Sequence, residues 1–171
     1  MKTILTEIQK LIDELAQQIQ VPQYLLPMYG STLEGTHVEL DRNGLLYYFA
    51  TERGKENFRY LAKDVDDLLY KIFEGATLMM ASSYELKNRI KGQDTRRVMF
   101  DEQKRLLRVL DQKWTERRIT EVEQILIKHP FDDNASERVS YYQQLVKTAQ
   151  HPGNEWLIAS EKYPSINKSN G

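Results

Sequence analysis

The apolar positions of the chain follow two periods, one typical of helices and one typical of strands. From Val65 the apolar residues recur every three or four positions, which predicts a long amphipathic helix that ends near Ile90. Asp64 precedes this helix as its predicted N-cap, with Asp66 and Asp67 in the first turn. The same period predicts further helices over residues 3–20, 95–114, 120–128 and 135–150.

Between residues 36 and 62 the apolar and polar positions alternate, as they do in half-buried strands. Asn43-Gly44 separates the first two alternating runs and predicts a hairpin with a type I′ turn. Gly54-Lys55 predicts a second turn, after which a third run follows. The pattern therefore predicts a three-stranded antiparallel meander.

Together these elements predict one α+β domain over residues 1–171, since a chain of this length fits a single domain. Gly75 lies inside the long helix, where glycine is unfavourable, so we expect close packing against another element there. Gly92 is the expected helix stop, and the end of the chain beyond Pro164 is expected to be loose. The predicted segments are an N-terminal helix (1–20), an apolar, extended connector broken by prolines (21–30), a meander (36–62), about four helices packed on the meander (65–150) and a C-terminal tail (151–171) that packs back on the domain.

The charge balance argues against nucleic acid as a partner, and the short apolar runs argue against a membrane. The 24 basic and 25 acidic residues give a net charge of -1, without the basic excess on which nucleic-acid binding depends. The apolar runs are shorter than the ~20 residues that span a bilayer, and the N-terminus lacks the pattern of a signal peptide. We therefore expect a soluble cytoplasmic protein, a monomer or weak homodimer, that binds neither nucleic acid nor membrane. The absence of cysteine agrees with that compartment.

The sequence contains no pattern typical of a catalytic, cofactor or metal site. The glycines are scattered, so none of them forms a phosphate-binding loop, and His37, His129 and His151 are isolated from one another. The aspartates at residues 64, 66 and 67 could in principle hold a divalent cation, but helix capping explains them. We predict no catalytic residue, no cofactor and no metal.

The remaining concentrations of charge lie near the predicted turns, and arginine can fork onto a carboxylate to hold such a turn in place. We predict a structural polar network in which Glu52 or Glu85 pairs with Arg89 or Arg97, and partner or anion binding is the alternative. The network members are Glu52, Arg53, Glu85, Arg89, Asp94, Arg96 and Arg97. Tyr141 and Tyr142 are adjacent on a helix and cannot both face inward, so one of them is expected at the surface.

A set of motifs between Asn43 and Pro130 resembles the immunity protein 63 family of bacterial polymorphic-toxin systems. The resemblance rests on their order and spacing, and it covers about half of the chain. The motifs are Glu52-Arg53-Gly54, Leu68-Leu69-Tyr70, Met80-Ala81, Tyr84-Glu85, Asn88-Arg89, Asp94-x-Arg96-Arg97 with Phe100, and His129-Pro130-Phe131.

This resemblance implies a small cytoplasmic protein that binds a cognate toxin domain and blocks it, and it implies no active site. We expect the partner to be bound through acidic surface positions, because a local acidic face attracts a basic toxin. The expected contact residues are Asp64, Asp66, Asp67, Glu74, Asp132, Asp133 and Tyr141. The alternatives are an interaction module without a toxin partner, or an enzyme acting on nucleotides or phosphoesters through Arg96 and Arg97.

Overall fold

The computed structural model describes residues 2–27, 34–148 and 153–165, and its elements form the predicted α+β arrangement. A helix and a three-stranded sheet precede a series of helices, as the sequence predicted. The helices are α1 (Lys2–Ile19), α2 (Val65–Lys87), α3 (Thr95–Leu110), α4 (Gln112–Lys128), α5 (Ala135–Thr148) and α6 (Glu155–Lys162). A short 3-10 helix (Gln23–Leu25) precedes the strands β1 (Gly35–Leu40), β2 (Leu46–Glu52) and β3 (Lys55–Ala62).

The strands form an antiparallel meander in the order β1-β2-β3, which confirms the predicted sheet. The turn at Asn43-Gly44 is not type I′, because only Gly44 has a positive φ there and Leu40 pairs with Leu46 across a longer loop. Asp41 closes this loop by accepting hydrogen bonds from the backbone N–H groups of Asn43 and Leu45, each at 2.8 Å.

The tight two-residue turn lies instead between β2 and β3. Arg53 and Gly54 both have positive φ, at 52° and 73°, and Glu52 pairs directly with Lys55. The central residues of the turn are therefore Arg53 and Gly54, one position earlier than the predicted Gly54-Lys55. Arginine at positive φ is uncommon, and the match between this turn and the twist of the strands explains why it is tolerated.

One face of the sheet packs against helices and forms the core. Leu46, Tyr48 and Ala62 are buried on this face, because alternate residues of a strand point the same way. Helix α2 lies against β2 and β3, and α3 packs beside α2. The buried helical side chains of this core are Ile8, Ile12, Ala16 and Ile19 of α1, Leu68, Leu69, Tyr70, Ile72 and Phe73 of α2, Leu106 and Leu107 of α3, and Trp114 of α4.

The chain breaks between the predicted helices at Asp111 and not after Trp114. Asp111 is extended, with φ -159° and ψ 132°, and it ends α3 while capping α4. Its Oδ1 accepts hydrogen bonds from the N–H groups of Lys113 and Trp114, at 2.6 and 3.2 Å. The predicted helices 95–114 and 120–128 are therefore wrong at this junction, because a side-chain cap competes locally with helix continuation. The cap places Trp114 in α4, where its ring stacks on Phe73 at 6.0 Å.

Helix α2 begins where the sequence predicted and ends earlier. The Asp64 side chain caps it by accepting from the Asp67 N–H at 2.8 Å. At the other end Asn88 donates to the Tyr84 carbonyl at 2.9 Å, so the helix ends at Lys87, before Ile90. The expected close packing at Gly75 is wrong, because a Cβ placed there would meet no atom within 4 Å.

The segments outside the meander and central helices also differ from the prediction. The connector predicted to be extended contains the 3-10 helix, whereas its last residues, 28–30, are outside the described part. The tail forms α6, which packs on α5 through an edge-to-face contact between Tyr142 and Trp156 at 5.4 Å. The predicted loose end after Pro164 falls almost entirely on residues outside the described part.

Replacing Gly75 by alanine is expected to raise the free energy of unfolding by about 1 kcal/mol, because alanine is the better helix former and the site has open space. Urea denaturation measures this change. The matched control is Gly54→Ala, which also meets no neighbour but requires alanine at φ 73° and is expected to lower stability. A loss of stability in Gly75→Ala would show that the glycine is needed for packing.

Candidate functional site

The acidic start of α2 separates into an exposed part and a buried part. Asp64 and Asp66 are exposed, and Asp66 accepts a hydrogen bond from the Trp114 indole N–H at 3.1 Å. Asp67 is only 5% exposed. Its carboxylate accepts from the Tyr60 hydroxyl at 2.7 Å, the Lys63 N–H at 3.0 Å and Arg117 at 2.6 Å. Asp67 thus joins β3, α2 and α4, and its oxygens are occupied within the fold.

The surroundings of Asp67 hold it in the charged form. Burial by itself would raise the pKa of Asp67, but the hydrogen bonds from Lys63, Arg117 and Tyr60 outweigh it and lower that pKa to about 2. The Arg117 guanidinium also stacks over the Tyr70 ring at 3.8 Å. A carboxylate that is hydrogen-bonded to this extent stabilises the folded chain whenever it is ionised.

A second buried cluster surrounds Arg118 between α2, α3 and α4. Arg118 donates to the Gln103 side-chain carbonyl at 2.9 Å and pairs with Glu74 at 3.3 Å and Glu121 at 3.2 Å. The Tyr70 hydroxyl donates to Glu121 at 2.6 Å, and both burial and this carboxylate raise the pKa of Tyr70. Glu74 therefore belongs to a helix junction, although the sequence placed it on a partner-binding surface.

The Asp94-x-Arg96-Arg97 motif holds two loops together. Asp94 caps α3 and accepts from the Asp132 N–H at 2.7 Å, while Asp133 accepts from the Asp94 N–H at 2.8 Å. Arg96 forks onto Asp94 and donates to the carbonyls of residues 129 and 130, at 2.9 and 2.7 Å. Arg97 pairs with Asp133 at 2.9 and 3.0 Å. We call these five residues (Asp94, Arg96, Arg97, Asp132 and Asp133) the loop clasp.

The residues of the predicted structural network do not form one connected network, and some of them bind residues outside the predicted set. Glu85 pairs with Arg89 at 2.7 Å, one helical turn away, whereas Arg97 pairs across to the loop before α5. Glu52 accepts from the Asn57 side chain at 3.1 Å, beside the turn that contains Arg53. The sequence had assigned Asp132 and Asp133 to the partner surface, but their carboxylates bind Arg138 and Arg97.

Each of the two adjacent tyrosines on α5, Tyr141 and Tyr142, contacts a different part of the C-terminal segment. Tyr141 lies edge-on to Tyr163 at 5.9 Å, and the Lys162 ammonium lies 3.9 Å from its ring centre. Tyr142 packs on Trp156 of α6, and both tyrosines remain partly exposed. The adjacent aromatic rings thus anchor α6 to α5.

An exposed apolar surface on α2 was not predicted. The side chains of Met79, Leu86 and Ile90 are 55%, 68% and 54% exposed, and Tyr84, which the helical period placed on the core stripe, is also exposed. Beside Met79 a groove of about 560 Å³ opens between α2, the sheet and the 3-10 helix. Its lining is largely apolar and includes Tyr24, Leu25, Tyr48, Phe58, Gly75 and Ala76. The sequence did contain one sign of this surface, because the apolar residues Met79, Leu86 and Ile90 lie outside the predicted core stripe.

The described ranges hold neither a cluster of metal-binding side chains nor a membrane-spanning helix. Histidine, aspartate and glutamate side chains of residues 2–27, 34–148 and 153–165 nowhere gather in threes that could coordinate a metal ion. Across the same ranges, none of the helices combines the length and apolar character needed to cross a membrane. Arg96 and Arg97, the candidates for binding a phosphate, donate to carboxylates and carbonyls of the loop clasp.

One family model matches part of the chain. Residues 43–124 match the family model described as immunity protein 63, which confirms the resemblance seen in the sequence motifs. The match covers just under half of the 171 residues and ends before the His129-Pro130-Phe131 motif. No curated protein and no solved structure matches the chain.

Replacing Asp67 by asparagine is expected to lower the free energy of unfolding by about 2 kcal/mol near neutral pH, because Arg117 loses its buried carboxylate. The folded pKa of Asp67 lies below the unfolded value, so its contribution is complete above about pH 5 and disappears as the pH falls toward about 2. Urea denaturation across this range should show the two proteins converging in stability.

The control for this prediction is Asp101→Asn. The Asp101 side chain is exposed and pairs with Lys104 at 2.7 Å on the helix surface, where ion pairs contribute about 1 kcal/mol or less. A difference between wild type and Asp67→Asn that stayed constant with pH would contradict the ionised role of Asp67.

Proposed function

Because the chain matches the immunity protein 63 family over residues 43–124, we propose that it is an immunity protein in a bacterial polymorphic-toxin system. It binds a cognate secreted toxin domain in the cytoplasm and neutralises it, protecting the cell that makes the toxin. The family match is the observation that carries this proposal.

The proposed mechanism is occlusion, in which the protein covers a functional surface of the toxin and carries out no reaction. The geometry of the arginine motif supports this interpretation over phosphoester chemistry. Arg96 and Arg97 are bound to Asp94, Asp133 and backbone carbonyls, so their donors hold the loop clasp closed. A guanidinium with satisfied donors stabilises the fold and offers little to a substrate.

Contacts within the fold favour some of the expected contact residues over others. Asp67 and Glu74 bind arginines within helix junctions, and Asp132 and Asp133 belong to the loop clasp. Asp64 and Asp66 remain exposed and are the carboxylates of this set that could meet a basic toxin. Tyr141 remains partly exposed beside α6. We propose that the protein acts as a monomer or weak homodimer with one toxin domain as its partner.

Co-expression tests the proposed function directly. The toxin domain encoded beside this chain should arrest growth when produced alone, and growth should recover when this chain is produced with it. The purified pair should form a complex in a pull-down and in size-exclusion chromatography. A toxin domain from an unrelated system is the control and should remain toxic. Growth arrest that persists in the presence of the chain, together with the absence of a complex, would refute the proposal.

A further inference from the structure

The outward side of the second half of α2 carries large apolar side chains that the fold does not bury. Met79 and Leu86 are seven residues apart, two helical turns, and therefore lie on one side of α2. Ile90 follows shortly after the helix ends, and all three side chains are more than half exposed. Single exposed apolar residues are ordinary, but a group of them marks an interaction surface.

The same region carries positive charge that is not neutralised. Lys87 and Lys91 are exposed, and neither forms an ion pair with any residue of the described ranges. In contrast, the neighbouring Arg89 is bound by Glu85, and Arg105 of α3 is bound by Glu102 at 2.7 Å. The uncompensated charge at this end of α2 therefore comes from the two lysines.

Residues of this region line three grooves. Met79 lines the groove of about 560 Å³ next to the sheet. Tyr84 and Lys87 line a groove of about 340 Å³ beside α1 and α3. Ile90 lines a third groove, of about 520 Å³, next to α3 and α4. Apolar side chains beside concave surfaces allow a partner to interdigitate with the protein, as the buried centre of an interface requires.

We propose that Met79, Leu86, Ile90, Lys87 and Lys91, here called the α2 outer face, form the surface that binds the toxin. Its occupant is a protein patch with apolar side chains at its centre and carboxylates at its rim, which complements the three apolar residues and the two lysines. This proposal rests on the proposed function and specifies where and how the partner binds. The five residues lie within the matched range, between the positions that carry the family motifs.

The residues on the inner side of the same segment show why the outer side is free for this role. Ala81 and Glu85 are buried, and Glu85 is held by Arg89. The inner side thus maintains the helix in place, whereas exchange of an outer residue alters no contact within the described core. Burial of the apolar centre would supply the affinity, and the two lysines would speed association with an acidic rim.

Leu86→Glu is the principal test, with binding measured against the toxin domain encoded beside this chain. It should raise the Kd by about 30-fold or more, the effect of losing a central interface residue. The matched control is Ile127→Glu on α4, because Ile127 is 72% exposed and lies outside the α2 outer face. Circular dichroism should show both variants folded, and hydrogen exchange should show that the toxin protects residues 79–91 in the wild type.

The charge of the partner is tested with a second pair of variants. Lys87→Glu combined with Lys91→Glu should slow association by about tenfold at low salt, and added salt should reduce the difference. Lys113→Glu combined with Lys147→Glu is the comparison, because these lysines of α4 and α5 are exposed and the double change alters the net charge equally. It should leave association nearly unchanged, and the opposite ranking would overturn the α2 outer face.

The outcomes separate this proposal from the proposed function. Rescue of growth by Leu86→Glu at wild-type affinity would refute the α2 outer face while leaving the immunity function intact. A wild-type chain that binds no toxin would refute the function and this surface together. Sedimentation that shows a wild-type dimer and a Leu86→Glu monomer, with toxin binding unchanged, would assign the face to a second copy of the chain and would also refute the proposal.

Discussion

Burial of the first half of α2 is the constraint on which the rest of the structure depends. Leu68, Ile72 and Phe73 are fully enclosed: α2 packs against the sheet and α3, and Trp114 of α4 stacks on Phe73. Apolar burial of this kind is the main stabilising contribution to folding, and it fixes the position of every element that contacts the helix. The polar side chains that this burial encloses at the edges of α2 are paired: Asp67 binds Arg117, and Glu74 binds Arg118.

The second half of the same helix is arranged differently. Beyond Ala76 and Thr77 its outward side carries the exposed residues Met79 and Leu86, and Gly75 lines the groove that opens beside the sheet. One helix therefore serves as the centre of the core at its beginning and presents an apolar surface at its end. This division allows a binding surface to vary without disturbing the packing that holds the chain together, which suits the proposed role in recognising one particular toxin.

The arginine motif shows how a charged cluster can be structural. Arg96 and Arg97 connect the start of α3 to the loop before α5. Arg96 donates to the carbonyls of His129 and Pro130, and Arg97 pairs with Asp133, all of them more than thirty residues away in the chain. Bidentate arginine pairs define orientation as well as distance, so they can hold loops that lack an apolar core of their own. The resemblance to an immunity family and the structural role of this motif agree, because both leave recognition to other parts of the surface.

The sequence by itself determined the class of the fold, the meander and the start of α2, since these depend on periodicity and on the local cap at Asp64. It did not determine the break at Asp111, where two competing local structures were both compatible with the pattern. Only the tertiary structure decided that Asp67, Glu74 and Asp133 are held by arginines, because each of these pairs joins residues more than thirty positions apart in the chain. It also decided that Asp132, in the loop before α5, binds Arg138 of that helix. It also decided that Met79, Leu86 and Ile90 are exposed, since a residue's burial depends on whether another element packs over it.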